Sequence, residues 1–220
     1  MTVQEFAKLI DHTCLKQTAT VEDIELLCDE AWQYRFKCVC INPYFVPRAF
    51  AQLNGSNVDV CAVIDFPLGA GAFAQKLHQA EEAIEDGAKE LDMVANIGLI
   101  KSGQWRLVQE DISGMRSICS EQIILKVIIE TGSLTATEIV EACKCAQAAG
   151  ADFIKTSTGF MGIGATTDTV SLLRKTVGNT MGVKAGGGIR DLTTTLAMLR
   201  AGANRIGVSN SCAILNEFTQ

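Results

Sequence analysis

Three lysines in this chain stand inside short apolar runs, where a packed interior would normally exclude charge. Lys126 lies within Ile123–Ile129, Lys155 within Asp152–Thr156 and Lys184 within Gly182–Ala185. Lysine is almost never fully buried without a partner or a task. A fourth run, Glu90–Val94, alternates Glu90 and Asp92 with Leu91 and Met93. Successive strand residues face opposite ways, so the two carboxylates share one face. The same parity groups Lys126 with Ile128 and Glu130, Phe153 with Lys155, and Gly182 with Lys184.

Two lysines ending consecutive parallel strands suggest imine chemistry. A lysine nucleophile must be uncharged, and an ordinary pKa of ~10.4 leaves about one molecule in 2,500 neutral at pH 7. Lowering that pKa to ~7 requires roughly 4.6 kcal/mol. A like charge at ~4 Å supplies on the order of 4 kcal/mol at an effective dielectric of ~20. Lys184 is therefore expected to activate Lys155 as a neighbouring cation, with desolvation adding the remainder. Asp92 is the expected acid/base for carbinolamine dehydration and proton transfer, directly or through water. Asp11, near the end of the first strand, is a second candidate, and capping the turn before Lys16 is the competing reading.

A second signal points to an anion. Lys184–Asp191 reads as a strand end, a triple-glycine turn and a helix start, and Arg205–Ser211 repeats that pattern. Glycine lets backbone N–H groups approach a phosphate, and helix N-termini favour negative charge. Gly187, Gly188, Gly207, Ser209 and Asn210 are the expected phosphate ligands, with Gly159 after the sixth strand. Thr158 is a further possible contact or a simple polar turn.

Positioning these groups requires a frame of repeated units. Eight strands are expected at Ile10–Thr13, Cys38–Ile41, Val58–Val63, Glu90–Val94, Ile123–Ile129, Asp152–Thr156, Gly182–Ala185 and Asn204–Gly207. Helical spacing separates them at Val21–Phe36, Gln75–Asp86, Gln104–Cys119, Thr137–Ala149, Thr167–Val177, Asp191–Ala201 and Cys212–Phe218. Pro43 and Pro47 suit the opening of a helix after the second strand. Gly-Ala precedes a strand at Gly87, Gly150 and Gly202. The glycine is expected to take a left-handed conformation that stops the helix. Eight such units in one domain, residues 1–220, predict a (β/α)₈ TIM barrel of the α/β class. An open doubly wound sheet is the competitor, but G-x-G-x-x-G is missing from its first turn.

Composition narrows the function further. The chain has 220 residues, a net charge of −6 and 48% hydrophobic content. An acidic balance argues against nucleic acid as a partner. No run approaches the ~20 apolar residues of a membrane span. Glu5 and Lys8 interrupt the start where a signal peptide would need apolar residues, so a cytoplasmic location is expected. The nine cysteines are an odd number, and with two histidines they form no recognisable metal set, so neither disulfides nor a metal are expected. Cys40, near the end of the second strand, is read as an inert core thiol, with a barrel-facing thiol that meets aldehyde product as the alternative.

These residues together resemble the 2-deoxyribose-5-phosphate aldolases. The matching segments are Asp11–Thr13, Phe66–Gly69, Glu90–Val94, Leu125–Thr131, Gly150–Gly159, Val183–Ala185 and Gly187–Arg190. The resemblance implies reversible cleavage of 2-deoxy-D-ribose 5-phosphate to glyceraldehyde 3-phosphate and acetaldehyde, in deoxyribose phosphate catabolism. It implies Lys155 as the Schiff-base lysine, Lys184 and Asp92 as proton donor and acceptor, no cofactor, and a homo-oligomer. Departures from the family pattern are Asp65 for a frequent Gly, Gly186 for Ser or Ala, and Asn210 for Ser. The chain also lacks the tyrosine-terminated tail of longer relatives. Asp65 is expected to bring an unwelcome carboxylate to the mouth. The rival readings are a Schiff-base lyase for another phosphosugar, an isomerase, and a non-catalytic phosphosugar-binding protein.

Overall fold

The β-branched and thiol-bearing runs form eight strands. They are β1 (Ile10–Cys14), β2 (Cys38–Ile41), β3 (Asp59–Ile64), β4 (Glu90–Val94), β5 (Ile124–Ile128), β6 (Phe153–Lys155), β7 (Gly182–Gly186) and β8 (Arg205–Val208). In the computed structural model, which describes residues 1–219, each strand pairs in parallel with the next, and β8 returns to β1. The sheet is thus a closed barrel, and the doubly wound alternative is excluded. Gln220, the last residue of the expected domain, lies outside the described residues.

The helices form a ring outside the strands. They are α1 (Val3–Ala7), α2 (Val21–Tyr34), α3 (Val46–Gln52), α4 (Phe73–Glu85), α5 (Ile97–Lys101), α6 (Trp105–Ile118), α7 (Ala136–Ala148), α8 (Thr167–Val177), α9 (Leu192–Arg200) and α10 (Ser211–Thr219). The seven expected helices stand within two residues of their expected limits. Pro47 sits in the first turn of α3, as its missing N–H allows. The five-residue α1 and α5 were not expected, because five residues show too little periodicity. A capping box between Thr2 and Glu5 starts α1. Its Phe6 stacks on Phe218 of α10, ring centroids 4.3 Å apart, joining the two ends of the chain.

Burial follows the strand alternation. Outward residues such as Val39, Leu91, Val127, Ile154, Val183 and Ile206 pack with the helices in one continuous apolar core. A small second cluster of Leu15, Cys38, Cys40, Cys61 and Val63 lies apart from it, packed with Phe66. All nine cysteines are free thiols, and six are buried.

The three Gly-Ala repeats share one hydrogen-bond pattern. Gly87, Gly150 and Gly202 have φ of 110°, 78° and 112°. In each, the glycine N–H bonds a carbonyl three residues back, and the following alanine bonds one five back. This is the Schellman arrangement, which satisfies the last carbonyls of α4, α7 and α9. A side chain at Gly150 meets only the Arg116 stem, 3.6 Å away, whereas one at Gly87 runs into the Phe50 ring and one at Gly202 into Arg174. Gly150→Ala is therefore expected to cost only the left-handed penalty of about 1–2 kcal/mol. Gly87→Ala and Gly202→Ala should cost more. Equal losses for all three in urea unfolding would refute the steric ranking.

Candidate active site

The register of the strands brings the predicted lysines onto one carboxylate. Lys155 lies opposite Lys184, and Asp92 lies opposite Lys126. Asp92 Oδ2 accepts hydrogen bonds from Lys155 Nζ at 2.6 Å and Lys184 Nζ at 2.7 Å. Its Oδ1 accepts from Lys126 Nζ at 2.7 Å. The two strand-end ammonium groups are therefore close, as expected, but a carboxylate oxygen stands between them. Direct repulsion from Lys184 is partly cancelled by that oxygen, so a simple like-charge argument overstates its effect on Lys155.

Asp11 does not cap the turn before Lys16. It is fully buried in the barrel and bridges Lys184, at 2.5 Å, to Arg205. Arg205 also binds Glu90 at 2.9 Å, and Glu90 lies 2.7 Å from Lys126. Sequence reasoning read Arg205 only as the start of a glycine turn. Its parity with Gly207 on β8 was the available signal that it points inward.

The field of this network sets each group's charge. Burial opposes ionisation of Asp92, but Lys126, Lys155 and Lys184 outweigh it and hold the carboxyl well below the usual range. Burial likewise opposes charge on Asp11, and Lys184 and Arg205 overcome it. For Glu90, burial is outweighed chiefly by Lys126. Lys184 loses by burial but gains more from Asp11 and Asp92, so its pKa lies well above an ordinary lysine. Lys126 is raised in the same way, mainly by Asp92 against burial. Lys184 is a held ammonium.

Of the four expected catalytic residues, Lys155 alone lines the cavity at the barrel mouth; Asp92, Lys184 and Asp11 are sealed beneath it. The cavity measures about 370 Å³, enough for a small sugar phosphate. Gly159, Gly187, Gly188, Gly207 and Ser209 form part of its wall. Gly187 and Gly188 have φ of 83° and 76°, and a side chain on Gly187 would meet Gly159 and Gly164 backbone at 3.1–3.3 Å. The Gly187 carbonyl is turned onto the Ala165 N–H, 3.0 Å away, which ties the loops after β6 and β7 together.

Two expectations around the phosphate loops need correction. Asn210 is outside the cavity wall, because its amide donates to the Arg190 carbonyl. The N-terminus of α9 is already occupied by its own Asp191, whose carboxylate accepts from Thr194 N–H at 2.7 Å. The glycine loop rather than that helix faces the cavity. Of the two readings of Thr158, the polar turn is the one its bonds describe: it lines the cavity, but its N–H and hydroxyl go to Glu130, at 3.0 and 2.6 Å. Conversely, Lys16 and Arg190 line the cavity and were not singled out. Their signal was a cation flanking each of two polar turns.

Asp65 is also not where it was expected. It takes φ of 52°, a left-handed conformation that glycine adopts freely and aspartate tolerates. Its carboxylate accepts from Gly71 N–H at 2.9 Å and lies 3.5 Å from the buried Lys76, away from the cavity. A side chain at Gly186 would make an ordinary 3.4 Å contact with the Lys155 stem, so the usual Ser or Ala fits there.

Three groups of possible metal donors lie within 4.8 Å: His12–Glu30–Cys212, Cys38–Cys61–Glu90 and Cys40–Cys61–Asp92. In the last two, ammonium or guanidinium groups already hold the carboxylates. In the first, His12 already bonds Glu30 and Ser211, both at 2.8 Å.

A family described as DeoC/LacD family aldolase matches residues 6–216. A deoxyribose-phosphate aldolase of Mannheimia succiniciproducens is 50% identical over 212 residues, covering 96% of this chain and 94% of its own. One from Coprothermobacter proteolyticus is 53% identical over 214 residues, covering 97% of each. Among solved structures, the tetrameric deoxyribose phosphate aldolase of Aeropyrum pernix superposes with a TM-score of 0.93. It is 33% identical, and the match covers 100% of this chain and 93% of that one.

The lowered carboxyl pKa values carry a stability prediction. Ionised Asp11, Glu90 and Asp92 stabilise the fold above about pH 4, and this contribution fades as pH falls through their lowered values. Asp92→Asn leaves buried ammonium groups short of a partner and should cost about 3–5 kcal/mol near neutrality. It should also flatten the loss of stability on going to about pH 3. Denaturant unfolding at the two pH values checks both, and an unchanged slope would contradict the assignment.

Proposed function

The chain belongs to the DeoC/LacD family of aldolases, which makes it a carbon–carbon lyase, and we propose that it cleaves 2-deoxy-D-ribose 5-phosphate reversibly. The products are D-glyceraldehyde 3-phosphate and acetaldehyde, and the reaction runs through a Schiff base on Lys155. The observation that carries this reading is that Lys155, alone of the ion-paired lysines in the barrel, opens into the cavity.

The free amine of Lys155 adds to the substrate aldehyde carbon to give a carbinolamine. Loss of water leaves an iminium, which withdraws electrons as the bond between C2 and C3 breaks. The C3 hydroxyl gives up its proton, and the enamine left on Lys155 is protonated at C2 and hydrolysed to acetaldehyde. Lys184, held as an ammonium, is a proton reservoir for these steps. Asp92, kept ionised, links Lys184 to Lys155 and is the route between them. Asp11 is too deep to meet substrate and acts by holding Lys184 and Arg205.

The phosphate is assigned to the backbone of Gly187, Gly188 and Gly207, with Gly159 and Ser209 beside it. Lys16 and Arg190 add positive charge at the rim. This places the anion on β7 and β8 loops and the carbonyl carbon on β6, so one end of the substrate orients the other. Asn210 supports the loop through Arg190 instead of binding the anion.

No helix among the described residues is long and apolar enough to cross a membrane, in keeping with a proposed cytoplasmic location. Assembly into a homo-oligomer belongs to the same proposal. Exposed Leu26, Trp32, Tyr44 and Phe50 offer apolar surface for it.

Borohydride reduction in the presence of acetaldehyde should add a two-carbon fragment to Lys155, read by peptide mass spectrometry. Absence of that adduct would refute the Schiff-base assignment. Lys184→Leu should keep the fold, slow adduct formation and move its pH optimum upward, because a cation beside Lys155 is removed. An unchanged pH profile would remove Lys184 from the mechanism.

A further inference from the structure

The charges sealed along the barrel axis do not cancel on their carboxylates. Asp11, Glu90 and Asp92 supply three anions, against four cations on Lys126, Lys155, Lys184 and Arg205 when all are protonated. None of these residues is more than 5% exposed. Lys37 approaches Glu90 to 3.8 Å at the foot of the barrel, but it is paired with Asp59 and half open to solvent. Glu130 is occupied by Thr158 above the cluster. An unmatched charge in such a place is costly. Either an amine gives up its proton, or a fourth anion is present.

Cys61 is the acid that touches both sides of this imbalance. Its Sγ lies 3.2 Å from Lys126 Nζ and 3.2 Å from Asp92 Oδ1. The other Asp92 oxygen holds Lys155. We propose that Cys61 and Lys155 share one proton through Asp92, so that Lys155 becomes the free amine when Cys61 becomes the thiol. One N–H bond breaks on Lys155 and one S–H bond forms on Cys61. The charge of the sealed cluster is unchanged, and no other reactant is consumed. The inference rests on Lys155 being the Schiff-base lysine.

The surroundings of Cys61 suit both of its forms. As a thiol it donates to Asp92 Oδ1. As a thiolate it is met by Lys126 on β5, with the Cys38 and Cys40 sulfurs of β2 within 4.8 Å; Cys40 is its register partner and donates to Asp92 Oδ2 at 3.9 Å. Facing it from β4 are Glu90 and Asp92, and Asp11 of β1 lies beyond Lys126, 3.9 Å from its Nζ. Lys184 on β7 lies beyond Cys40. Burial pushes the Cys61 thiol up, but the adjacent Cys38 and Cys40 thiols and the Lys126 charge bring it down to about 5. Cys40 is pushed well above the ordinary thiol range, first by the adjacent Cys61 and then by burial, and stays protonated. Facing Lys155 are Asp92 and Lys184, an anion and a cation in the resting site. Cys61 meets no substrate and acts only through Asp92 and Lys126, as a positioning residue for charge.

The test is the pH dependence of acetaldehyde trapping on Lys155 by borohydride. Cys61→Ser and Cys61→Ala remove the fourth anion permanently, so Lys155 sheds its proton more readily. Trapping on the acid side of the profile should rise by about tenfold, the effect of one pH unit. Cys61→Asp, which keeps an anion, should move the acid side the opposite way from Ser and Ala. Carbon-13 labelling of the cysteine Cβ adds a direct reading. One thiolate should be present near neutrality in the unsubstituted protein and missing in Cys61→Ser.

An acid side that is the same in Cys61→Ser as in the unsubstituted protein would overturn the inference, as would a shift confined to Cys61→Ala, which would report packing. Absence of any labelled thiolate at neutrality would do the same if Cys61→Asp fails to fold. A different failure, no adduct on Lys155 in the unsubstituted protein, would remove the Schiff-base reading itself.

Discussion

One carboxylate, Asp92, holds the ammonium groups of three strands at once. Its two oxygens bind Lys126, Lys155 and Lys184 within 2.7 Å, at zero exposure. Without it, Lys155 would lose its carboxylate partner and Lys126 and Lys184 would keep only Glu90 and Asp11, a loss of about 3–5 kcal/mol. The shape of the site follows from this constraint. Lys184 and Lys126 are pinned as cations, Asp11 and Glu90 are drawn in to answer them, and Arg205 closes the foot of the network. Only Lys155 retains a path to the cavity.

The barrel separates two tasks by direction. Outward side chains pack the helices with aliphatic surface, while inward positions carry ions that a typical barrel interior would replace with branched apolar residues. The loops after β6, β7 and β8 then add a wall of glycines, packed so closely that Gly159, Gly164 and Gly187 admit no side chain without displacement. Rigid loops above a rigid ion network leave little freedom for a substrate held at both ends.

Much of this was legible before any coordinates. Alternation within Glu90–Val94 and the placement of Lys155 and Lys184 identified the inward face, because strand parity is strict. The repeated Gly-Ala stops identified the modules, because their conformation is local. What could not be read is what depends on partners far apart in the chain. Asp11 is bound by Arg205, 194 residues away, so a local turn seemed as good a home for it. Asn210 and Asp65 were misjudged for the same reason, since the Asn210 amide N–H is spent on the Arg190 carbonyl and the Asp65 carboxylate on Gly71 and Lys76. Spacing showed where the Lys155 and Lys184 amines would meet, but not that an oxygen would stand between them.

The three Schellman turns lie at the end of the barrel where strands begin, opposite the cavity. Every group assigned to chemistry or to phosphate sits on the inward face of a strand or beyond its carboxyl end. The chain could therefore be cut and rejoined at one of those turns, with Gly150 the least crowded, without moving a single reacting atom. Circular permutation through that face is a property of the architecture: one end of the barrel is free to record changes in chain order, and the other is not.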